Sequence, residues 1–135
     1  MSYTLREHTA DVAVEATGPT LGETFAAVAE GLTEAMCEER PSVGERFSIE
    51  ERAENGEALL FDYLDRLIYE RDVRGVLPVE HECEVTVEGE WVAVASARGV
   101  PLSHVAARDV KAVTYSEMAL EERDDGWYAY VVFDV

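Results

Sequence analysis

Lysine is almost absent from this sequence of 135 residues. Lys111 is the only one, and the other basic residues are all arginines. The chain has 11 basic residues against 29 acidic ones, which gives a formal net charge of −18. Proteins that bind the phosphate backbone of nucleic acids usually carry a basic stripe, and no segment of this chain supplies one. We therefore expect no strong direct binding to DNA or RNA.

Cysteine and long apolar runs are also scarce. Cys37 and Cys83 lie far apart and match no spacing that is typical of a metal or redox site, so two reduced thiols are expected. The N-terminal residues are polar, and no run is long and apolar enough to predict a signal peptide or a transmembrane helix. The sequence predicts a soluble cytoplasmic protein without a membrane partner.

The acidic residues are distributed along the whole chain among apolar residues, which make up 47% of the sequence. This distribution predicts one folded domain over residues 1–135 rather than a disordered chain. Abundant acids with arginine in place of lysine are typical of proteins that stay soluble in multimolar salt, so we expect a halophilic archaeon as the source. Most carboxylates would then serve solvation, and a cluster of acids alone is weak support for a metal site.

Local signals predict two amphipathic helices. Thr20 and Glu23 form a capping box, and Asn55 is placed to cap a second helix. An apolar stripe at helical spacing follows each cap. Asp62 and Arg66 have the i,i+4 spacing of an ion pair on the outer face of the second helix.

The other segments have the pattern of β-strands. Strands are predicted over residues 3–6, 12–17, 46–51, 83–87, 91–95, 110–115, 118–122 and 127–135. The last of these is strongly apolar, which predicts a central position in its sheet. The sequence therefore predicts an α/β (α+β) fold: a single two-layer domain with a mixed sheet, two amphipathic helices and C-terminal β-hairpins.

Three carboxylate groups occur near the ends of the N-terminal strands and of the last strand predicted from the sequence. Asp11 lies in a short loop between two N-terminal strand segments, whereas Asp134 and the carboxylate of Val135 finish the last strand. If these strands are neighbours, the three groups converge, and without a cation they would repel one another. Hard oxygen ligands suit Ca²⁺, Mg²⁺ or Mn²⁺ rather than zinc. The alternative is that these acids only solvate the surface.

The isolated Lys111 has two interpretations. In the first, the lysine has no function: it is present by chance, or it is half-buried and paired with an acid. In the second, its charge is functional and either balances the carboxylates or binds a phosphate. The histidines His8, His81 and His104 are scattered without metal-ligand spacing, and His8 is favoured as a hydrogen-bonded turn residue. Tyr128 and Tyr130 alternate on one strand face and could stack on bases, although packing is the simpler interpretation. No nucleophile with a neighbouring base and no glycine-rich phosphate loop is present.

Four motifs in order along the chain resemble the archease family. They are His8-Thr-Ala-Asp-Val12, the helical pattern from Leu59 to Tyr69, Val110-Lys-Ala-Val-Thr-Tyr-Ser-Glu-Met118 and the terminal Val131-Val-Phe-Asp-Val135. The resemblance covers essentially the whole chain. One departure is the segment Pro101 to Arg108, where the family often has a longer loop containing His-Pro.

The resemblance implies a small α/β accessory protein that is not itself an enzyme. Archeases activate the RtcB-type tRNA-splicing RNA ligase by promoting transfer of GMP from GTP to a ligase histidine, and they allow multiple turnovers. The family's divalent ion, Ca²⁺ by first expectation and otherwise Mg²⁺ or Mn²⁺, would be bound by Asp11, Asp134 and the Val135 carboxylate. Lys111 would act in activating the ligase. Two rival functions remain: a chaperone or binding module for tRNA-modifying enzymes with a structural metal, and a metal-dependent hydrolase.

Overall fold

A computed structural model describes residues 2–7 and 11–135 of the chain. Within these residues, seven strands and two helices are arranged in the order β1, β2, α1, β3, α2, β4, β5, β6, β7. Their bounds are β1 Ser2–Glu7, β2 Asp11–Gly18, α1 Leu21–Met36, β3 Glu45–Ala53, α2 Gly56–Arg74, β4 Val76–Glu88, β5 Glu90–Pro101, β6 Ala112–Arg123 and β7 Gly126–Asp134. A short 3₁₀ turn, Leu102–His104, follows β5. None of the described helices is both long and apolar enough to cross a membrane.

The strands form two separate sheets. One has the order β1-β2-β7-β6 and the other the order β3-β5-β4, and all pairs of neighbouring strands are antiparallel. The α+β class is therefore confirmed, whereas the single mixed sheet that the pattern predicted is replaced by two antiparallel ones. Periodicity reports which face of a strand is buried but not which strand it pairs with. The central position predicted for the last strand is confirmed, because β7 lies between β2 and β6.

Both helices begin at the predicted caps. The Oγ1 of Thr20 accepts a hydrogen bond from the Glu23 amide at 3.1 Å, and the Oδ1 of Asn55 accepts one from the Ala58 amide at 2.8 Å. These side chains satisfy amides that have no partner inside the helix. At its other end, α2 stops at Gly75, which has a φ of 66°, the left-handed conformation that glycine adopts most readily.

The two helices join the sheets through one hydrophobic core. Each helix contacts strands of both sheets, and the core cluster includes residues from both. Helix α1 is buried on nearly every side, including small residues such as Ala26 and Ala29 as well as its predicted apolar stripe. At Gly22 the helix approaches β4 so closely that an added Cβ would collide with the carbonyl of Cys83.

The predicted ion pair between Asp62 and Arg66 is wrong. Arg66 instead contacts Glu51 of β3 through Nη1 at 2.7 Å and Glu70 through Nε at 2.8 Å. The Glu70 side chain is 6% exposed, and it also contacts Arg74. A partly buried carboxylate shared by two arginines is a stronger attraction for Arg66 than a neighbour on the exposed helix surface.

Candidate functional site

Asp11 and Asp134 lie directly opposite each other at one end of the four-stranded sheet. In the β2–β7 register Asp11 pairs with Asp134, and the next pair is Val12 with Phe133. Val12 and Phe133 are buried in the core, and side chains alternate between the faces of a strand. The two aspartates therefore share the opposite face, where directly paired residues have Cβ atoms about 4.5–5.5 Å apart.

One oxygen of the Asp11 carboxylate is buried. Its Oδ1 is inaccessible to solvent and has no hydrogen-bond partner among the described residues, while Asp134 opposite is exposed. A buried, unpaired carboxylate oxygen is costly, and a second carboxylate beside it adds repulsion. A bound cation would relieve both costs at once, because each carboxylate oxygen is a hard ligand.

Lys111, the residue directly before β6, lies at the same end of the sheet. Its backbone amide donates a hydrogen bond of 2.8 Å to the carbonyl of Asp134, and the next residue, Ala112, pairs with Asp134 in the β6–β7 register. Lys111 is exposed, which argues against the half-buried structural role. We call Asp11, Asp134, Val135 and Lys111 the acidic tip.

A buried arginine on α2 holds the segment that carries Lys111. The Nη1 of Arg71 donates to the carbonyl of Val110 at 2.8 Å and contacts the sulfur of Met36 at 3.4 Å. Its Nη2 lies 3.2 Å from Asp109 and 2.9 Å from Asp72. Because the Arg71 side chain is only 8% exposed, this guanidinium is a rigid link between α2, the end of α1 and the acidic tip.

Sequence reasoning missed Arg71, although a signal was available. The position continues the buried stripe of α2 through Leu64 and Leu67 at spacings of three and four residues. A charged residue on such a stripe has to be paired when it is buried. Only the fold reveals that its partners include the backbone of Val110, 39 residues further along the chain.

The histidines do not contribute to the acidic tip within the described residues. His81 is buried, its Nε2 lies 2.7 Å from Thr33 Oγ1, and burial lowers its pKa to about 3. His104 is exposed in the 3₁₀ turn. His8 lies outside the described residues. In the part of the chain that the structure describes, no three His, Cys, Asp or Glu side chains form a group that would hold a metal ion, so the predicted site depends on the Val135 carboxylate as its third group.

The two cysteines and Tyr128 have surroundings that favour a structural role. Cys37 and Cys83 are free thiols, and burial raises the pKa of Cys83 to about 12, which keeps it from acting as a thiolate nucleophile. Tyr128 donates a hydrogen bond of 2.8 Å to Glu15, and its ring carries the Arg123 guanidinium 3.8 Å from its centroid. These contacts favour packing over base stacking for Tyr128.

Comparisons with known proteins agree on one family. The model of the Archease protein family matches residues 3–135. The archease of Pyrococcus furiosus is 33% identical over 96% of this chain and 95% of its own length, and that of Thermococcus gammatolerans is 38% identical with the same coverage.

Solved structures show the same fold. The solution structure of protein 1598 from Methanobacterium thermoautotrophicum superimposes with a TM-score of 0.81, at 26% identity and with 98% of both chains covered. The crystal structure of an archease from Thermotoga maritima, described as a possible chaperone, has a TM-score of 0.65 at 25% identity, covering 96% of this chain and 94% of that one.

Proposed function

Because the chain belongs to the archease family, we propose that it activates an RtcB-type tRNA-splicing RNA ligase. In this proposal it promotes transfer of GMP from GTP to the ligase histidine, with release of pyrophosphate, and thereby permits multiple turnovers. The single observation that supports this most directly is the acidic tip. Asp11 and Asp134 lie opposite each other, the buried Oδ1 of Asp11 has no hydrogen-bond partner in the described part of the chain, and the only lysine of the sequence is adjacent.

The acidic tip fits a divalent cation. Asp11, Asp134 and the Val135 carboxylate would hold it, with Ca²⁺ expected first and Mg²⁺ or Mn²⁺ as alternatives. All donors are oxygens, and the buried Oδ1 of Asp11 lacks a partner in the described residues. When bound near a triphosphate, such a cation supplies positive charge that stabilises the departing pyrophosphate.

Lys111 supplies a second positive charge in the proposed mechanism. It is exposed, and its backbone is tied to Asp134 on one side and, through Val110, to Arg71 on the other. An ammonium on a fixed backbone is suited to meet a phosphate oxygen as a point charge. The residue thus contributes charge at a defined position, without nucleophilic chemistry of its own.

The rest of the surface suits a protein partner rather than RNA. A chain with a formal charge of −18 repels phosphate backbones, so contact with the RNA substrate would be left to the ligase. The protein is accordingly an accessory factor without an enzymatic activity of its own, and it works beside its ligase in the cytoplasm.

A single-turnover assay tests the proposal. The cognate ligase is mixed with radiolabelled GTP in multimolar KCl, with and without this protein, and the labelled ligase is quantified over time. We expect labelling to be accelerated by the unmodified protein, and we expect Asp11→Asn to lose most of the effect. The matched control is Asp125→Asn, the same substitution in the exposed turn at the opposite end of β7.

Two outcomes would contradict the proposal. Equal activation by Asp11→Asn and the unmodified protein would leave the metal-bearing tip without a function. Turnover of GTP by this protein alone would favour the metal-dependent hydrolase instead.

The second candidate function is that of a chaperone or binding module. The description of the Thermotoga maritima archease as a possible chaperone favours it as the alternative. A chaperone would raise the yield of refolded ligase or of a tRNA-modifying enzyme independently of Asp11. Refolding assays with the unmodified protein and Asp11→Asn therefore separate the two functions.

A further inference from the structure

Strand β6 contains a large irregularity a few residues from the acidic tip. Thr114 pairs with Val132 and the next paired residue, Ala119, lies opposite Tyr130. The four residues from Tyr115 to Met118 thus face a single residue of β7. Within them Glu117 has a φ of 56°, a conformation that a residue with a Cβ adopts at a cost.

A side chain of the strand itself supports this bulge. The Oγ1 of Thr114 donates to the carbonyl of Val132 at 2.9 Å and accepts from the amide of Ser116 at 3.2 Å. The irregular conformation is therefore built into the sheet by specific hydrogen bonds. Bulges of this kind redirect a side chain, and they occur often beside functional sites.

The side chain that the bulge redirects is Tyr115. Its ring lies flat on the ring of Phe61 from α2, with 4.1 Å between centroids and 6° between planes. Tyr115 nevertheless remains 55% exposed. The core does not need this tyrosine, since most of its surface is left in water, so a strained bulge is maintaining an exposed and rigidly supported ring.

An acidic residue of α2, Asp62, lies near the ring. Asp62 is close enough for its charge to raise the pKa of the Tyr115 phenol, after the larger effect of burial. Asp65 lies near enough to Asp62 to raise the pKa of that carboxyl, after burial and Glu51. One turn further along, Tyr69 is 56% exposed. We call Tyr115, Phe61, Asp62, Asp65 and Tyr69 the Tyr115 surface.

We propose that the Tyr115 surface docks an arginine-bearing surface of the RNA ligase. A guanidinium stacks on an aromatic face and at the same time donates paired hydrogen bonds to a carboxylate, and Tyr115 with Asp62 offers both. The carboxylates would repel RNA phosphates, which favours a basic protein surface as the occupant. This inference rests on the proposed function and adds the surface by which the ligase is held.

The position of the Tyr115 surface supports simultaneous contact with the acidic tip. Ala112, which pairs with Asp134, precedes Tyr115 by three residues, or roughly 10 Å of extended strand. A partner surface longer than this separation can contact both Tyr115 and the end of the sheet that carries the acidic tip. The acidic tip then acts in the reaction, while the Tyr115 surface determines affinity.

Titrating the protein against the cognate ligase in the guanylylation assay tests this division. For Tyr115→Ala we expect the concentration that gives half-maximal activation to rise about tenfold or more, in keeping with a loss of about 1.4 kcal/mol. Maximal activation should be unchanged. Tyr115→Phe keeps the stack and should behave like the unmodified protein. Val94→Ala is the control, because Val94 is a 52% exposed residue on the other sheet.

Binding measured by calorimetry separates failure of this inference from failure of the proposed function. If the protein does not accelerate guanylylation at all, the proposed function fails, but weaker ligase binding by Tyr115→Ala still supports the docking surface. If activation is normal and Tyr115→Ala has a half-maximal concentration within twofold of the unmodified protein, the docking surface is wrong. Binding of fluorescent single-stranded RNA that depends on Tyr115 would likewise overturn it, because the occupant would then be RNA.

Discussion

At the scale of single residues, two charged side chains are at least partly buried in positions where burial costs folding free energy. Asp11 keeps one oxygen buried opposite a second aspartate, and Arg71 buries a guanidinium to fix the backbone before Lys111. Neither arrangement maximises stability, because burying charge costs more than burying an apolar side chain of similar size. Costs of this kind are typical of functional sites.

Asp11→Asn should separate metal binding from folding. In metal-free buffer the variant should be at least as stable as the unmodified protein, because one of two facing like charges is removed. Ca²⁺ at 100 times its dissociation constant should raise the free energy of unfolding of the unmodified protein by about 2.7 kcal/mol, and that of the variant hardly at all. Thermal melts with and without Ca²⁺ measure this, with Asp125→Asn as the control. A full Ca²⁺ response in Asp11→Asn would remove this residue from the metal site.

Arg71→Gln should displace Lys111 without unfolding the chain. We expect a loss of about 1–3 kcal/mol in the free energy of unfolding, since the buried Val110 carbonyl loses its donor, and a larger relative loss of ligase activation. Because Lys111 is the only lysine, ¹³C-dimethylation gives a single lysine resonance in NMR spectra. That resonance should shift in Arg71→Gln.

The control for Arg71 is Arg66→Gln on the same helix, which breaks contacts with Glu51 and Glu70 but none with Asp109 or Val110. It should leave the lysine resonance and activation in place. If both variants lose stability equally and neither moves the resonance, Arg71 is a structural residue and no more.

At the scale of helices and strands, residues within a segment determine whether it forms a helix or a strand. Contacts between distant segments determine how these elements pack together. The sequence predicts the helix caps at Thr20 and Asn55 and the period-two pattern of β7, because these features depend on interactions among residues close in sequence. It does not predict the division into two sheets, the bulge around Glu117 or the partners of Arg66, because each of these depends on residues distant in sequence. The sequence predicts that Asp11 and Asp134 meet only if their strands pair, and the pattern of each strand does not decide its partner.

The junction between α1 and β4 should make the fold sensitive to acid. His81 is buried there against Thr33, and its pKa is lowered to about 3 from an ordinary value of 6.5, chiefly by burial. An unfolded chain takes up a proton at this histidine below pH 6.5, whereas the folded chain does not until about pH 3. The free energy of unfolding should therefore fall as the pH falls through this window, by about 1.4 kcal/mol per pH unit.

Urea titrations at several pH values measure this dependence. His81→Gln should have a shallower loss of stability between pH 6.5 and 4 than the unmodified protein. His104→Gln, an exposed histidine in the 3₁₀ turn, should retain the original dependence. Identical curves for His81→Gln and the unmodified protein would show that His81 is not the group that titrates.

At the scale of the whole molecule, net charge outweighs the individual ion pairs. With 29 acidic and 11 basic residues, repulsion among surface carboxylates opposes the compact state. Several arginines do form exposed pairs, such as Arg52 with Glu50 and Glu90, but exposed pairs contribute about 0–1 kcal/mol each and weaken in salt. Screening by salt weakens both the repulsion and the ion pairs, and we therefore expect it to stabilise the fold on balance.

Thermal melts in KCl test this balance directly. The Debye length is about 10 Å at 0.1 M and about 3 Å at 1 M, so we expect the melting temperature to rise from millimolar to multimolar KCl. An equal concentration range of a nonionic osmolyte such as sucrose serves as a control for general stabilisation. A melting temperature that stays constant or falls in KCl would contradict the halophilic origin that the composition predicts.

The pairing of β2 with β7 also has a consequence during protein synthesis. The register joins Asp11 to Asp134 and Gly18 to Trp127, so β2, which pairs with β1 on one side, obtains its second neighbour only after more than 100 further residues. At roughly 5–20 residues per second, the edge of β2 that pairs with β7 stays without its partner for several seconds or longer. A nascent chain stalled anywhere before β7 lacks both the centre of one sheet and half of the acidic tip.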